Sequence, residues 1–353
     1  MNARTPVSQR AADEAFDYCA RLTSGHYENF PVASLFLPEE KRPYIQAIYA
    51  FSRCADDFAD EGDLPPQARL DLLDDWARKL DRSYEGDADH PVFIALAETI
   101  HRNAIPRKYL GDLLSAFRQD VVKNRYETMP ELLDYCSRSA NPVGRIVLHI
   151  FGHRDEELCL LSDTICTGLQ LANFWQDVGA DLRKNRLYIP LSEMERHGYS
   201  EAEWRGKALN DRFRATMKSL VAMTRDMFRA GVRLPELVER DIALELRLVW
   251  LGGMTILGGV ERSGYDVYAS RPTLGARQKL DEAPRRALGV VQRMYVGRLD
   301  DQHGRLEHGQ REHPERVAGA RSVDFARDRV GRARGSRAQR HRYIQRRLRH
   351  EVH

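Results

Sequence analysis

Two aspartates, Asp56 and Asp60, stand four residues apart in a stretch with helical periodicity. At about 100° per residue, Tyr49 and Arg53 fall within the same narrow arc of that helix. Carboxylates on one helix face can bind a hard divalent cation through their oxygens. The alternative is an ordinary solvated face, with Arg53 paired to Asp57 at i+4 and Tyr49 packed as a core aromatic residue.

A second polar stripe lies between residues 170 and 181. Asn173, Asp177 and Asp181 are spaced i, i+4 and i+8, and Gln170 projects into the same sector. Apolar and aromatic residues surround these four, so we expect this helix to be largely buried. Two carboxylates about 6 Å apart in a partly buried site repel by roughly 2–3 kcal/mol at an effective dielectric constant near 20.

Magnesium ions would offset this repulsion. Mg²⁺ takes one or two carboxylates, keeps several waters and shares phosphate oxygens of a substrate. Two acidic stripes that face each other across an apolar cavity therefore predict a site for a diphosphate with a hydrocarbon tail, in which the metals neutralise the departing diphosphate. A single D-x-x-x-D would be a weak signal, because that spacing is common by chance.

Helices must position these residues, because helical periodicity runs through almost the whole chain. The strongest segment is 38–61, which begins with proline and acidic residues and ends at Gly62 and Pro65-Pro66. We predict loops at 83–90 and 183–192. Further helices are predicted at roughly 66–84, 91–102, 106–122, 130–138, 142–151, 155–180, 200–230 and 235–265.

Charge is distributed unevenly over the 353 residues, although the net charge is only +3. The segment from Asp281 to the end holds 18 arginines, no lysine and 10 acidic residues, whereas residues 1–280 carry 37 basic and 42 acidic side chains. The acidic balance of residues 1–280 argues against a nucleic-acid-binding function for that part of the chain. For residues 278–353, three interpretations stay open: a disordered basic extension, a tether for an anionic membrane or nucleic acid, and a segment that is not an authentic continuation of the domain.

The five cysteines form no C-x-x-C pair, which argues against a disulfide framework or a zinc site and favours a reducing compartment. Residues 1–10 are polar, without the apolar core of a signal peptide. The most apolar run, 248–260, is short and rich in glycine, so we interpret it as a buried helix rather than a membrane span.

The motifs resemble those of the squalene/phytoene synthase family of head-to-head prenyl synthases, over about residues 14–277. Glu28–Ser34 and Asn173–Asp177 are most similar to the hydroxysqualene synthase branch of bacterial hopanoid biosynthesis, because most other relatives have arginine at the position of Gln176. The matching stretches are His26–Pro31, Tyr49–Glu61, Tyr135-Cys136, Asn141–Gly144, Asn173–Asp181, Arg186–Pro190 and Gly264–Val267.

The resemblance implies an all-α fold, a single isoprenoid-synthase-like helical bundle around a central apolar cavity. It also implies a flexible N-terminus at 1–13 and a catalytic domain at 14–277. Taken alone, His26 could be an ordinary histidine, Phe30 a core aromatic and Tyr188 a loop anchor. The implied Mg²⁺ ligands are Asp56, Asp60, Asn173, Asp177 and Asp181; the diphosphate contacts are Arg53, His26 and Arg271; and Phe30, Tyr49, Tyr135, Gln170 and Tyr188 line the reacting part of the cavity.

The implied reaction is ionisation of presqualene diphosphate and capture of the rearranged cation by water, giving hydroxysqualene and diphosphate. Aromatic faces would shield the cation, and Gln170, Asn173 and Gln176 are the candidates to hold the water. One alternative is condensation of two farnesyl diphosphates to presqualene diphosphate, squalene or dehydrosqualene. Two other classes stay open: a non-catalytic scaffold that binds prenyl diphosphates, and a nucleic-acid-binding protein that acts through its tail.

The expected partners are a prenyl diphosphate substrate, a membrane surface contacted peripherally, and other squalene-pathway enzymes, with no nucleic acid bound by the body. We expect a cytoplasmic location, peripheral to the inner face of the cell membrane.

Overall fold

The computed structural model describes residues 9–24, 37–269 and 271–272. These residues form α-helices and one short 3₁₀ helix at Leu234–Glu236, and they contain no β-strand. The all-α prediction is confirmed. The α-helices are α1 Gln9–Ser24, α2 Arg42–Asp60, α3 Pro66–Glu85, α4 Pro91–Asn103, α5 Arg107–Val122, α6 Met129–Ser139, α7 Asn141–Ile150, α8 Glu156–Arg183, α9 Leu191–Arg196, α10 Glu201–Arg205, α11 Asp211–Gly231 and α12 Arg240–Arg262.

The chain divides into two compact units, one of residues 1–60 and 65–298 and one of residues 61–64 and 299–353. Every contact described below lies within the first unit. The second is described only at residues 61–64. The predicted tail at 278–353 lies outside the described residues.

Local signals in the sequence account for most helix ends. The Asp155 carboxylate caps α8 by accepting a hydrogen bond from the Glu157 amide at 2.8 Å. Gly86 ends α3 with φ of 81°, a conformation that favours glycine. The predicted helix at 38–61 is confirmed with its start moved to Arg42, and its end at Asp60 precedes the predicted stop at Gly62.

Two predictions near helix boundaries are wrong. The N-terminus was expected to be flexible over residues 1–13, but residues 9–13 already belong to α1, because Ala12, Ala15 and Cys19 form a buried stripe on that helix. The helix expected at 200–230 is broken into α10 and α11. The Asn210 side chain accepts a hydrogen bond from the Phe213 amide at 3.0 Å and starts a new helix there.

Two large hydrophobic clusters and a small third one of Leu148, Cys159 and Ile242 form the described interior of the first unit. One large cluster gathers apolar side chains of α1 to α5 with a few from α7 and α12. The other large cluster is built mainly from α6, α8, α11 and α12. The two acidic motifs sit one in each group of helices, on α2 and on α8.

Among the described helices, α12 is the one long and apolar enough to cross a membrane by length and composition. Within the run at 248–260, Leu248, Ile256 and Leu257 are buried as predicted, whereas Leu251 is 42% exposed. All five cysteines carry free thiols.

Candidate active site

The C-terminal ends of α2 and α8 are joined by ion pairs at Asp60, the last residue of α2. The Arg186 guanidinium donates to one Asp60 carboxylate oxygen at 2.8 Å, and Lys184 Nζ reaches the other at 2.5 Å. Both basic residues follow Arg183, where α8 ends. The last residue of the first motif is therefore linked to the residues that directly follow the second motif in the chain.

Helix electrostatics explain why basic groups collect at this place. Asp60 ends α2 and Asp181 lies in the last turn of α8, where each helix presents its unpaired carbonyl groups. A carboxylate there is opposed by the negative end of the helix dipole, whereas a cation is favoured. Lys184 and Arg186 supply that positive charge to Asp60. A metal ion would meet the same need.

The second motif is buried along one face of α8. Asn173, Asp177 and Asp181 are 7%, 6% and 8% exposed, so the expected burial is confirmed. A buried carboxylate needs a charged partner. The Arg271 guanidinium pairs with Asp177 through two contacts, of which the Nη2–Oδ2 contact is 3.1 Å long. Arg271, predicted to contact diphosphate, is thus placed at the second motif.

The segment after α12 lies directly on α8. A Cβ atom built on Gly179 would stand 2.6 Å from the carbonyl oxygen of Val267. The Gln176 amide nitrogen donates to the carbonyl of Pro272 at 2.5 Å. Gln176, one of three candidates predicted to hold the reacting water, anchors this segment through its amide nitrogen and is 1% exposed.

Arg53 lies beside the first motif on α2. Its guanidinium pairs with Asp57 at 2.8 Å and comes within 4.0 Å of Asp56. The i+4 pair with Asp57, considered as an alternative from the sequence, is therefore present. Its side chain and that of Asp56 are 11% and 20% exposed, so they are largely withdrawn from solvent.

An aromatic group borders the second motif. The Tyr188 ring stacks on Phe174 at 3.8 Å with an angle of 7° between the planes. The ring centroid of Tyr135 lies 6.2 Å from that of Phe174, and the ring centroid of Tyr126 lies 5.7 Å from that of Tyr188. Burial raises the pKa of the Tyr126 phenol, so it stays neutral. The faces of such rings favour a nearby positive charge.

Tyr135 is oriented by a residue that the sequence analysis missed. Its hydroxyl donates to both carboxylate oxygens of Asp120, at 2.8 and 2.9 Å. Asp120, on α5, is 7% exposed. The sequence does contain a sign of its burial. Asp120 lies on the same face of the predicted helix as Leu110, Leu113 and Leu114, and an acidic residue on an apolar face indicates a buried polar contact.

Four other residues were predicted to line the cavity or to contact the diphosphate. Tyr49 is half-buried and packs against the hydrophobic cluster of α1 to α5. Gln170 is half-buried on α8. His26 and Phe30 lie outside the described residues. Lys184 and Arg186 were not assigned to the site from the sequence, although Arg186 belongs to a motif that was recognised.

Within the described ranges, no three His, Cys, Asp or Glu side chains are grouped closely enough to hold one metal ion by themselves. Mg²⁺ does not require such a group, because it is usually bound by one or two carboxylates together with water and substrate phosphate. Pairs of aspartates on two helices fit that requirement in donor type and number. The residues that would donate oxygen to it are Asp56, Asp60, Asn173, Asp177 and Asp181.

Comparison with known proteins gives consistent results. The sequence model of the squalene/phytoene synthase family matches residues 23–282. A 15-cis-phytoene synthase from Synechococcus elongatus is 29% identical over 80% of this chain and 95% of its own length. A hydroxysqualene synthase from Zymomonas mobilis is 42% identical, over 49% of this chain and 59% of its own length.

Solved structures agree with the fold. The crystal structure of squalene synthase HpnC from Alicyclobacillus acidocaldarius superposes with a TM-score of 0.70 at 40% identity, covering 75% of this chain and 99% of that one. A dehydrosqualene synthase with bound ligand gives a TM-score of 0.69 at 22% identity, covering 82% of this chain and 98% of its own, which supports the fold alone.

Proposed function

The chain belongs to the squalene/phytoene synthase family, and from this membership we propose that it is a magnesium-dependent enzyme that converts presqualene diphosphate and water to hydroxysqualene and diphosphate. The structural observation that carries the proposal is the link from Asp60 on α2 to Arg186 after α8. It links the first aspartate motif to the residues that directly follow the second, and this supports a diphosphate site shared by both motifs.

The choice of substrate within the family rests on the pattern of identities. Hydroxysqualene synthases match this chain at 38–42% identity, over about half of it. Phytoene synthases match at 27–29%, over 76–80% of it. The squalene synthase HpnC matches at 40% identity over 99% of its own chain, which supports a substrate of the squalene type over a phytoene precursor.

In the proposed reaction, the bond between carbon and the diphosphate oxygen breaks and its electron pair leaves with the diphosphate. Asp56, Asp60, Asn173, Asp177 and Asp181 are the residues that would hold Mg²⁺, which would supply positive charge to the leaving group. Arg53 adds a fixed positive charge beside the first motif. The hydrocarbon cation rearranges and gains the oxygen of a water, which loses a proton.

The aromatic group gives the hydrocarbon cation a neutral but polarisable surrounding. Phe174 and Tyr188 stack on each other, and Tyr135 lies beside them. Hydrogen bonds to both Asp120 oxygens fix the Tyr135 hydroxyl. A ring held in one orientation can shield the cation without moving into its path. The buried neighbourhood also limits the entry of other waters.

Product analysis tests the substrate. Purified protein is incubated with Mg²⁺ and either presqualene diphosphate or farnesyl diphosphate, and the extracted lipids are identified by mass spectrometry. We expect hydroxysqualene from presqualene diphosphate and no product from farnesyl diphosphate alone. Conversion of farnesyl diphosphate to a cyclopropyl diphosphate or a C30 hydrocarbon would instead support head-to-head condensation, the activity that the phytoene synthase matches favour.

A double variant tests whether the protein is catalytic at all. Asp56→Asn together with Asp177→Asn removes one carboxylate from each motif, and we expect turnover to fall by at least about 10³-fold. The matched control is Asp71→Asn with Glu157→Gln, two exposed carboxylates on α3 and α8. Equal function of the double variant and the control in cells would favour a non-catalytic scaffold.

A further inference from the structure

The loop between α8 and α9 holds the basic side chains of the site in a special backbone conformation. Asn185 has φ of 54°, in the left-handed region that L-residues other than asparagine and glycine rarely adopt. It stands between Lys184 and Arg186, the two residues that pair with Asp60. The direction in which both cations point therefore depends on how Asn185 is held.

Arg125, in the segment between α5 and α6, holds Asn185 directly. Its guanidinium donates to the Asn185 carbonyl at 2.6 Å and to the Asn185 side-chain oxygen at 2.7 Å. Two further hydrogen bonds, at 3.0 and 2.8 Å, go to one oxygen of Glu201 at the start of α10. The guanidinium lies 4.7 Å from the ring centroid of Trp204.

The contacts of Arg125 make it a rigid anchor rather than a surface charge. Its side chain is only 17% exposed. The backbone joins the two segments as well, because the Leu187 amide donates to the carbonyl of Asn124 at 3.0 Å. A planar guanidinium can bind two partners in fixed directions, which a lysine ammonium cannot do.

We propose that Arg125 is a positioning residue of the diphosphate site: it fixes Asn185 in its left-handed conformation and so directs Lys184 and Arg186 at the first aspartate motif. This inference rests on the proposed function, because it takes diphosphate as the ligand of that site. Arg125 itself contacts neither Asp60 nor the second motif in the described hydrogen bonds. Its effect on binding passes through the loop.

Binding of inorganic diphosphate with Mg²⁺, followed by titration calorimetry, tests the proposal without any choice of prenyl substrate. We expect Arg125→Gln to weaken binding by about tenfold, the factor that corresponds to loss of one well-placed charged contact. The matched control is Arg145→Gln. Arg145 is 18% exposed, pairs with Asp163 and Glu156, and lies 6.0 Å from the Tyr109 ring, so the substitution removes a comparable network elsewhere.

A mutant cycle with the pair Lys184→Gln and Arg186→Gln separates positioning from a general structural role. If Arg125 acts through the loop, Arg125→Gln should weaken diphosphate binding by less than about twofold once Lys184 and Arg186 have both been replaced. An undiminished tenfold effect in that background, or equal binding by Arg125→Gln and Arg145→Gln, overturns the proposal.

A substitute variant and a separate activity assay allow the proposal to be tested even if Arg125→Gln does not fold or the proposed function is wrong. If Arg125→Gln does not fold, as judged by circular dichroism, Arg125→Lys takes its place, since lysine keeps the charge but cannot bind Asn185 and Glu201 together. Wild-type diphosphate binding by Arg125→Lys then overturns the proposal. Failure of the proposed function has a different signature: presqualene diphosphate gives no hydroxysqualene with the wild-type protein, while the diphosphate titrations still report on Arg125.

Discussion

Replacing Gly179 by alanine tests whether close packing of the segment after α12 supports the second aspartate motif. The new Cβ atom would lie 2.6 Å from the Val267 carbonyl oxygen and 3.2 Å from the Tyr268 Cα. An unstrained contact between carbon and oxygen needs about 3.3 Å, so the backbone must move by about 0.7 Å. The obstacle is backbone rather than the end of a flexible side chain.

The expected cost is worked from opposing terms. Alanine favours a helix interior over glycine by about 1 kcal/mol. Overpacking costs about 1–3 kcal/mol, and movement of the segment also strains the Gln176–Pro272 hydrogen bond and the Arg271–Asp177 pair. We expect a net loss in unfolding free energy of about 1–2 kcal/mol, measured by urea denaturation.

The same displacement should weaken the binding of diphosphate with Mg²⁺, since it moves Arg271 relative to Asp177. The matched control is Gly111→Ala on α5, where the new Cβ atom meets only the flexible end of the Arg107 side chain. That variant should gain up to about 1 kcal/mol. If Gly179→Ala matched the control in both stability and diphosphate binding, packing against Val267 would not support the motif.

Burial raises the pKa of Glu245 from 4.5 to about 7. The folded state therefore binds a proton that the unfolded state releases, and stability should fall by up to about 3 kcal/mol as the pH rises from about 4.5 to 7. Glu245→Gln should remove that loss, and an equal stability difference between variant and wild type at pH 5 and pH 8 would contradict it. Asp120→Asn should lower kcat about tenfold by weakening the bond that orients Tyr135, while calorimetry shows unchanged binding of inorganic diphosphate; weaker binding would show that Asp120 serves the anion site instead.

Local signals were sufficient to predict most of the fold. Helical periodicity gave α2 to α8, because proline at the first turn, glycine at the end and side-chain caps act within a few residues. The break between α10 and α11 was missed although Asn210 is a side chain that can cap a new helix, as it does for α11. The stripe on α1 was missed because polar side chains make up half of that segment.

The sequence could predict only those features of the site that depend on spacing along a single helix. The spacing i, i+4, i+8 places Asn173, Asp177 and Asp181 on one face, and their burial confirms it. The partners of these groups come from distant parts of the chain, as in the pair of Arg271 with Asp177. Such pairs depend on how distant segments of the chain pack together, and the residue pattern of a single helix does not contain that information.

These tertiary pairs bear on how the proposed site could admit a charged ligand. Asp60 and Asp177 each hold a basic partner, so neither is an uncompensated charge withdrawn from water. Mg²⁺ bound at these carboxylates would supply the positive charge that Arg186 and Arg271 provide to them in this structure. Arg186 and Arg271 can then turn to the phosphate oxygens. Every buried charge thus keeps a partner of opposite sign through the exchange, which is the condition under which burying them costs least.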